Sequence, residues 1–192
     1  MEPLAPRHGQ ALAALVAQAV ADRLAGRPVD GRPPASAVLR ALGASFVTLE
    51  SAGALRGCIG TLEASRPLYV DAVRNALRAM TDPRLPPVVA GEWPMLDISV
   101  TVLGPPQLLP VDGRDHLVAA LRPGVDGLIL SDGEQRATFL PAVWHKLADP
   151  DRFVGALLDK GGWSPHGWPE GIRALRYTAV EFTDRAPRKP QD

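Results

Sequence analysis

The chain carries its most informative stretch at residues 55–60, Leu55-Arg56-Gly57-Cys58-Ile59-Gly60, which holds the one cysteine among 192 residues. The segment before it, Ser45 to Glu50, alternates polar and apolar residues and leads through Ser51-Ala52-Gly53 into this stretch, so the two together predict a β-hairpin. Because side chains alternate along a strand, Arg56, Cys58 and Gly60 should share one face. The sequence therefore predicts a strand with a cation and a thiol side by side, and with Leu55 and Ile59 towards the core.

The face that carries Cys58 is a candidate catalytic surface. A guanidinium beside a thiol favours the thiolate, which is the reactive form, so Arg56 is the residue expected to activate Cys58. Gly60 on the same face would leave a gap for a substrate, whereas Gly57 on the opposite face would pack against a helix. The alternative is structural, because a single free cysteine often behaves as a small buried hydrophobe.

A helix is predicted directly after this strand, with Pro67 in its first turn, where a missing N–H costs nothing. Its apolar stripe comprises Tyr69, Val73, Ala76, Leu77 and Met80. Asn75 falls roughly opposite that stripe at 100° per residue, which indicates a solvated polar position. The alternative is that Asn75 faces a substrate cleft, since the helix must pack near the cysteine strand.

A proline-rich loop follows the helix, from Thr81 to Gly91. Prolines restrict the conformations of a loop, so Asp82 and Arg84 are expected to be held as fixed polar groups. We expect this loop to pack beside the cysteine hairpin and to contribute both side chains to a substrate site. The alternative is an ordinary exposed connector with a weak local ion pair.

A second hairpin is predicted from Gly127 to Leu140. Asp132-Gly133 suits a type I′ turn, and counting outward from it pairs Thr138 with Gly127. A glycine opposite Thr138 would leave open space over its hydroxyl, as a ligand surface requires. The alternative is that Thr138 is simply a good strand residue.

Strands in hairpins and helices in separate blocks predict an α+β fold, an antiparallel or mixed sheet flanked by helices. The remaining predicted elements are a helix over 9–24, a strand over 96–103, a short helix after Asp112, a helical turn at Pro141, a helix capped by Asp149-Pro150, and a last strand over 174–182.

The hexapeptide Leu55 to Gly60 resembles the signature of the AMMECR domain family, whose bacterial members are called AmmeMemoRadiSam system protein A. Three further blocks match the family in order: Asp82-Pro83-Arg84-Leu85-Pro86-Pro87, Ile98-Ser99-Val100, and Arg136-Ala137-Thr138-Phe139-Leu140-Pro141 running into Val143-Trp144. The resemblance extends from about Ala11 to Phe182. It departs at Leu85, where an aromatic residue is expected, and at Gly161-Gly162.

The resemblance implies a larger sheet domain with a smaller lobe and a cleft between them. Residues 1–184 would form this single domain with its small subdomain, and residues 185–192 a polar tail. It places six residues near the cleft: Arg56, Cys58, Asn75, Asp82, Arg84 and Thr138. It also implies Memo-like and radical S-adenosylmethionine proteins as partners, with an unknown small molecule as ligand, rather than a particular reaction.

Composition narrows the class of function. The 21 basic and 21 acidic residues balance, so no overall charge favours nucleic acid or an anionic membrane. One cysteine forms no internal disulfide, which fits a cytoplasmic protein. The four histidines show no zinc-binding spacing, and the sequence has neither a Walker loop nor a Gly-x-Gly-x-x-Gly motif, so neither metal nor cofactor is predicted.

Two functions of different classes fit these observations. The first is a binding or accessory component without catalysis. The second is an enzyme that uses Cys58 as nucleophile or redox group, with Arg56 or Arg84 stabilising the thiolate. A nucleic-acid-associated regulator is a third reading, which the neutral charge disfavours.

Overall fold

A computed structural model describes residues 4–188, and residues 189–192 of the predicted tail lie outside this range. The helices are α1 (Pro6–Leu24), α2 (Ala37–Arg40), α3 (Leu68–Ala79), α4 (Arg114–Ala120) and α5 (Pro150–Lys160), with 3-10 helices at Ala90–Met95 and Pro141–His145. The strands are β1 (Leu42–Gly43), β2 (Ser45–Ser51), β3 (Ala54–Gly60), β4 (Arg66–Pro67), β5 (Leu96–Leu103), β6 (Gln107–Leu109), β7 (Gly127–Ser131), β8 (Arg136–Phe139), β9 (Arg173–Tyr177) and β10 (Ala179–Asp184).

The chain forms two compact units, a smaller one of residues 104–179 and a larger one built from the chain on either side of it. Each unit contains a four-stranded sheet, in the order β10-β5-β2-β3 for the larger and β6-β9-β7-β8 for the smaller. The fold is therefore α+β, with antiparallel sheets flanked by helices, as the sequence predicts.

The core of the larger unit lies between its sheet and the helices α1 and α3. Leu12, Val16 and Val20 recur at helical spacing on α1 and are fully buried, against strand residues such as Val47 and Ile98. Residues that alternate with these along β2 and β5 are only half-buried. The sheet thus has one apolar face under the helices and one polar face.

The smaller unit packs α5 against its own sheet. Asp149 caps α5 by accepting the Arg152 N–H at 2.8 Å, as predicted from the Asp-Pro pair. Phe153 of this helix is fully buried and stacks on Trp144, with ring centroids 3.8 Å apart. These aromatic contacts hold the helix on the sheet.

Two predictions about the strands of the smaller unit are wrong. The region 174–182 is not one strand: β9 lies in the sheet of the smaller unit and β10 in that of the larger. The turn of the second hairpin lies one residue further along the chain than predicted, which shifts the pairing by two residues, because only Gly133 has a positive φ, of 102°, and it is the first central residue of the turn. That is the type II′ arrangement, and it pairs Thr138 with Ile129 instead of Gly127.

Among the helices of residues 4–188, none combines the length and the apolar content that crossing a membrane requires.

Candidate functional site

The cysteine strand β3 contains an irregularity that the sequence does not reveal. It pairs with β2 so that Leu49 faces Gly57 but Glu50 faces Leu55, which leaves Arg56 as the extra residue of a β-bulge. A bulge interrupts the alternation of faces. Leu55 is consequently 46% exposed, so the expectation that it faces the core is wrong, whereas Ile59 beyond the bulge packs against the core.

The two glycines of β3 both lie against a neighbouring group. A Cβ added to Gly57 would lie 1.9 Å from the carbonyl oxygen of Ala79, so the strand and the end of α3 meet at a point where only glycine fits. Gly57 therefore packs on a helix, as predicted. A Cβ on Gly60 would lie 2.2 Å from the ring of Phe46, so the predicted substrate gap at Gly60 is filled by that ring.

The backbone of Cys58 points away from β2, towards the open edge of the sheet. Cys58 N–H donates to Asp82 Oδ2 at 3.0 Å, and Cys58 C=O accepts from Arg84 Nη2 at 2.9 Å. Because the N–H and C=O of Cys58 both point away from β2, Thr48 and Cys58 form a non-hydrogen-bonded pair of the antiparallel strands. The side chains of such a pair approach each other closely. An Asp/Arg pair thus occupies the position that a further strand would take, and the predicted packing of the loop beside the hairpin is confirmed.

Asp82 is buried and forms a two-pronged ion pair with Arg84. Arg84 Nε donates to one carboxylate oxygen at 2.9 Å and Nη2 to the other at 2.6 Å. These hydrogen bonds, followed by the one from Cys58 N–H, hold the pKa of Asp82 well below its usual range. The same carboxylate raises the pKa of Arg84, whose side chain is 66% exposed.

Arg56 is paired with a carboxylate. Its guanidinium pairs with Glu92, with Nη2 3.2 Å from Oε2, and also reaches the carbonyl oxygens of Pro86 and Pro87 at 3.4 Å. This pairing lowers the pKa of Glu92 and raises that of Arg56. These contacts do not support an activating role for Arg56, because its charge is paired with a carboxylate and the bulge changes its position relative to Cys58. That Arg56 activates Cys58 stays a prediction.

The Cys58 side chain belongs to a row of polar groups that crosses the sheet. Thr48 Oγ1 donates to Cys58 Sγ at 3.4 Å, and Thr48 also lies opposite Ser99 on β5. Ser99 Oγ is in turn 2.8 Å from Thr183 Oγ1 on β10. All four residues of this polar row are half-buried.

Sequence reasoning missed Thr48, Ser99 and Thr183 as members of the site. Alternation along residues 45–50 and 96–103 already places Thr48 and Ser99 on the faces opposite the core residues. The missing information was the order of the strands, which brings residues from β3, β2, β5 and β10 into one line.

Asn75 is fully buried, so the prediction of a solvated position is wrong. Its Nδ2 donates to the Ser45 carbonyl oxygen and to Asp71 Oδ2, both at 3.0 Å. Asp71 also accepts from the Ser45 backbone and from Thr61. Asn75 thus belongs to a buried network that joins α3 to the start of β2, and its buried Oδ1 has no hydrogen-bond partner within residues 4–188.

Thr138 lies in the smaller unit, and its hydroxyl is not open. It donates to the Leu128 carbonyl oxygen at 2.9 Å and is 3.0 Å from the hydroxyl of Tyr177. The ring of Tyr177 also fills the space beside Gly127. The expectation of free space over Thr138 is wrong, because the register differs by two residues and Tyr177 occupies the gap.

These contacts define what the site can do. Asp82, Arg84 and Gly57 hold the cysteine strand in place, and Asn75 joins α3 to the start of β2. The polar row presents hydroxyls and a thiol that can donate or accept hydrogen bonds. Within residues 4–188, no cluster of three or more His, Cys, Asp or Glu side chains is arranged to hold a metal ion.

Comparisons with known proteins agree on one family. A family model described as AMMECR1 matches residues 13–182. A protein of Methanothermobacter thermautotrophicus is 37% identical over 188 residues, which cover 94% of this chain and 96% of that protein. Protein MJ0810 of Methanocaldococcus jannaschii is 35% identical over 70% of this chain and 68% of its own length. Both relatives are archaeal proteins.

The fold has a counterpart among solved structures. The crystal structure of the uncharacterized protein PH0010 from Pyrococcus horikoshii matches with a TM-score of 0.87 and 29% sequence identity. The match covers 98% of this chain and 99% of that one. The similarity therefore extends over both units.

Proposed function

Since the chain belongs to the AMMECR1 family, we propose that it is a binding or accessory protein of the AmmeMemoRadiSam type, acting with Memo-like and radical S-adenosylmethionine proteins. In this proposal the polar row of Cys58, Thr48, Ser99 and Thr183 binds a small polar molecule through hydrogen bonds. The residues that hold β3 are positioning residues.

One observation carries this proposal: the two arginines beside the cysteine strand are both committed to carboxylates. Arg56 pairs with Glu92 and Arg84 with Asp82. Covalent catalysis by a thiol needs a nearby base or an available cation to produce the thiolate. Because both arginines are neutralised, neither is available to stabilise a thiolate. The arrangement therefore favours a rigid binding surface over an activated nucleophile.

The proposal is tested by reconstituting the chain with the Memo-like and radical S-adenosylmethionine proteins encoded in the same genome. Analytical ultracentrifugation should detect a complex, and Cys58→Ala should form it equally well. A chain that forms no complex with either protein, while its melting temperature shows that it is folded, would contradict the accessory role.

An enzyme that uses Cys58 is the second candidate, and it is favoured by the hydroxyl of Thr48, which donates to the sulfur of a half-buried, unpaired thiol. Untargeted metabolite profiling separates the two functions. A strain with Cys58→Ser, which keeps a hydrogen-bonding group in the polar row but removes the thiol, should have the metabolite profile of the wild type if the protein only binds. If it matches the deletion strain although the variant protein still forms the complex, the thiol is catalytic.

A further inference from the structure

We propose that the larger unit carries a second binding surface, a groove along the outer side of α3 that accepts a short acidic, amphipathic helix of a partner protein. The groove has a volume of about 700 Å³ and runs beside α3 between the end of α1 and residues 29–31. It contains no residue of the cysteine strand, so the inference does not depend on the function proposed above.

The floor of the groove is a second apolar stripe on α3. Tyr69, Val73 and Leu77 follow one another at intervals of four residues and are only partly buried against the core. Val70 beside them is 37% exposed. Between Tyr69 and the end of α3 at Ala79 the helix rises about 15 Å, close to the length of three turns of a docked helix.

The rim of the groove carries an excess of positive charge. Arg23, Arg74 and Arg78 line it, and across residues 4–188 their guanidinium groups have neither an ion-pair nor a hydrogen-bond partner. The one acidic residue of the lining, Asp30, is already held by Arg32, with Nη2 2.7 Å from Oδ2. Arg56 and Arg84 of the same unit have carboxylate partners, whereas the three rim arginines have none within residues 4–188.

The spacing of the arginines favours a helix over a lipid. Arg74 and Arg78 lie one turn apart on the same side of α3, and acidic residues at the same spacing on a partner helix would face both. A fatty acid or single-headed lipid concentrates its charge at one end. It would leave one of these arginines, or Arg23 on α1, without a partner. An apolar stripe flanked by charges of one sign is also the usual arrangement where a helix docks in a groove.

A designed peptide tests this surface on the full chain. The probe is a fluorescein-labelled helix of about 16 residues, with leucines at helical spacing i, i+3, i+4 and i+7 and glutamates on its flanks. Fluorescence anisotropy should show binding that weakens by about tenfold or more when lysines replace the glutamates. Arg74→Glu with Arg78→Glu should cause a similar loss. The matched pair Arg152→Glu with Arg173→Glu, exposed residues of the smaller unit, makes the same change in net charge and should have little effect.

The outcomes separate the alternatives. A peptide that does not bind, or that binds equally well to the Arg74→Glu/Arg78→Glu chain, overturns the proposal. Laurate binding that the same double variant abolishes, without peptide binding, assigns the groove to a lipid and also overturns it. Peptide binding by a chain that forms no complex with Memo-like or radical S-adenosylmethionine proteins contradicts the proposed function and leaves the groove in place.

Discussion

The backbone N–H of Cys58 donates to the buried carboxylate of Asp82 at 3.0 Å, at the edge of β3 that no other strand within residues 4–188 covers. The exposed edge of a sheet is a liability, because its unpaired N–H and C=O groups invite pairing with other chains. Asp82 and Arg84 satisfy one group each and so cap this edge at the cysteine. The motif residue Cys58 is thus fixed through its main chain, which leaves its sulfur on the polar face.

The first prediction concerns the contribution of this carboxylate to stability. Asp82→Asn removes the charge from a buried group that accepts hydrogen bonds from Cys58 and Arg84. Hydrogen bonds to charged groups contribute more than neutral ones, so the free energy of unfolding should fall by about 2 kcal/mol at pH 7. Urea denaturation followed by circular dichroism measures this change.

The chain provides a matched control for this substitution. Asp30 and Arg32 have the same spacing and form the same two-pronged pair, with Arg32 N also donating to Asp30 Oδ1. This pair is exposed, and exposed ion pairs contribute little to stability. Asp30→Asn should leave the denaturation midpoint unchanged. An equal effect of the two substitutions would show that burial of Asp82 is not the cause.

The second prediction is the pH dependence of the same contribution. The pKa of Asp82 is lowered in the folded chain, chiefly by Arg84, so on acidification the unfolded chain binds this proton first. The stabilisation should be complete above the ordinary pKa of about 3.9 and lost progressively below it. The difference in unfolding free energy between wild type and Asp82→Asn should therefore shrink as the pH falls from 7 towards about 2. A constant difference would contradict this.

Local signals in the sequence were sufficient to predict most of the fold. Alternation over Leu96–Leu103 predicted both ends of β5, and the Asp149-Pro150 pair predicted the start of α5. The nearness of Asp82 to the cysteine hairpin was also predictable, because only one helix separates the two segments. In each case the determining residues are neighbours in the sequence.

The errors at the site come from contacts between distant residues. Asn75 is buried because the Ser45 carbonyl oxygen, thirty residues away, accepts its amide hydrogen. Arg56 is withdrawn from the thiol by Glu92, thirty-six residues away. Helical periodicity and strand alternation contain no information about such partners. The bulge at Arg56 likewise depends on the register with β2.

The third prediction concerns the charges beside the thiol. Arg84 neutralises the Asp82 carboxylate, which accepts the N–H of Cys58. Arg84→Gln leaves that negative charge uncompensated next to the cysteine, and a nearby negative charge disfavours the thiolate. This substitution should therefore slow the alkylation of Cys58 by iodoacetamide at neutral pH. Arg56→Gln should not, because the carboxylate that it leaves unpaired is that of Glu92. The rates are measured by mass spectrometry on folded protein. The reverse order would restore Arg56 as the activating residue.

The last prediction concerns the two glycines of β3, which the structure shows to be restricted by different neighbours. Gly57→Ala forces a Cβ against the Ala79 carbonyl oxygen, and the backbone at the end of α3 has little freedom to move away. It should lower the free energy of unfolding by about 3 kcal/mol, in the upper range for overpacking.

Gly60→Ala meets the ring of Phe46 instead, which is a side chain and can rotate away. Its cost should be smaller, about 1 kcal/mol, and should vanish in a Phe46→Ala background, where the ring is absent. Gly57→Ala should cost the same in both backgrounds, because Phe46 is not its obstacle. Urea denaturation of the three single and two double variants gives the coupling energy of each pair. Zero coupling between residues 46 and 60 would show that the ring does not occupy the space beside Gly60. The substrate gap expected from the sequence would then be open after all.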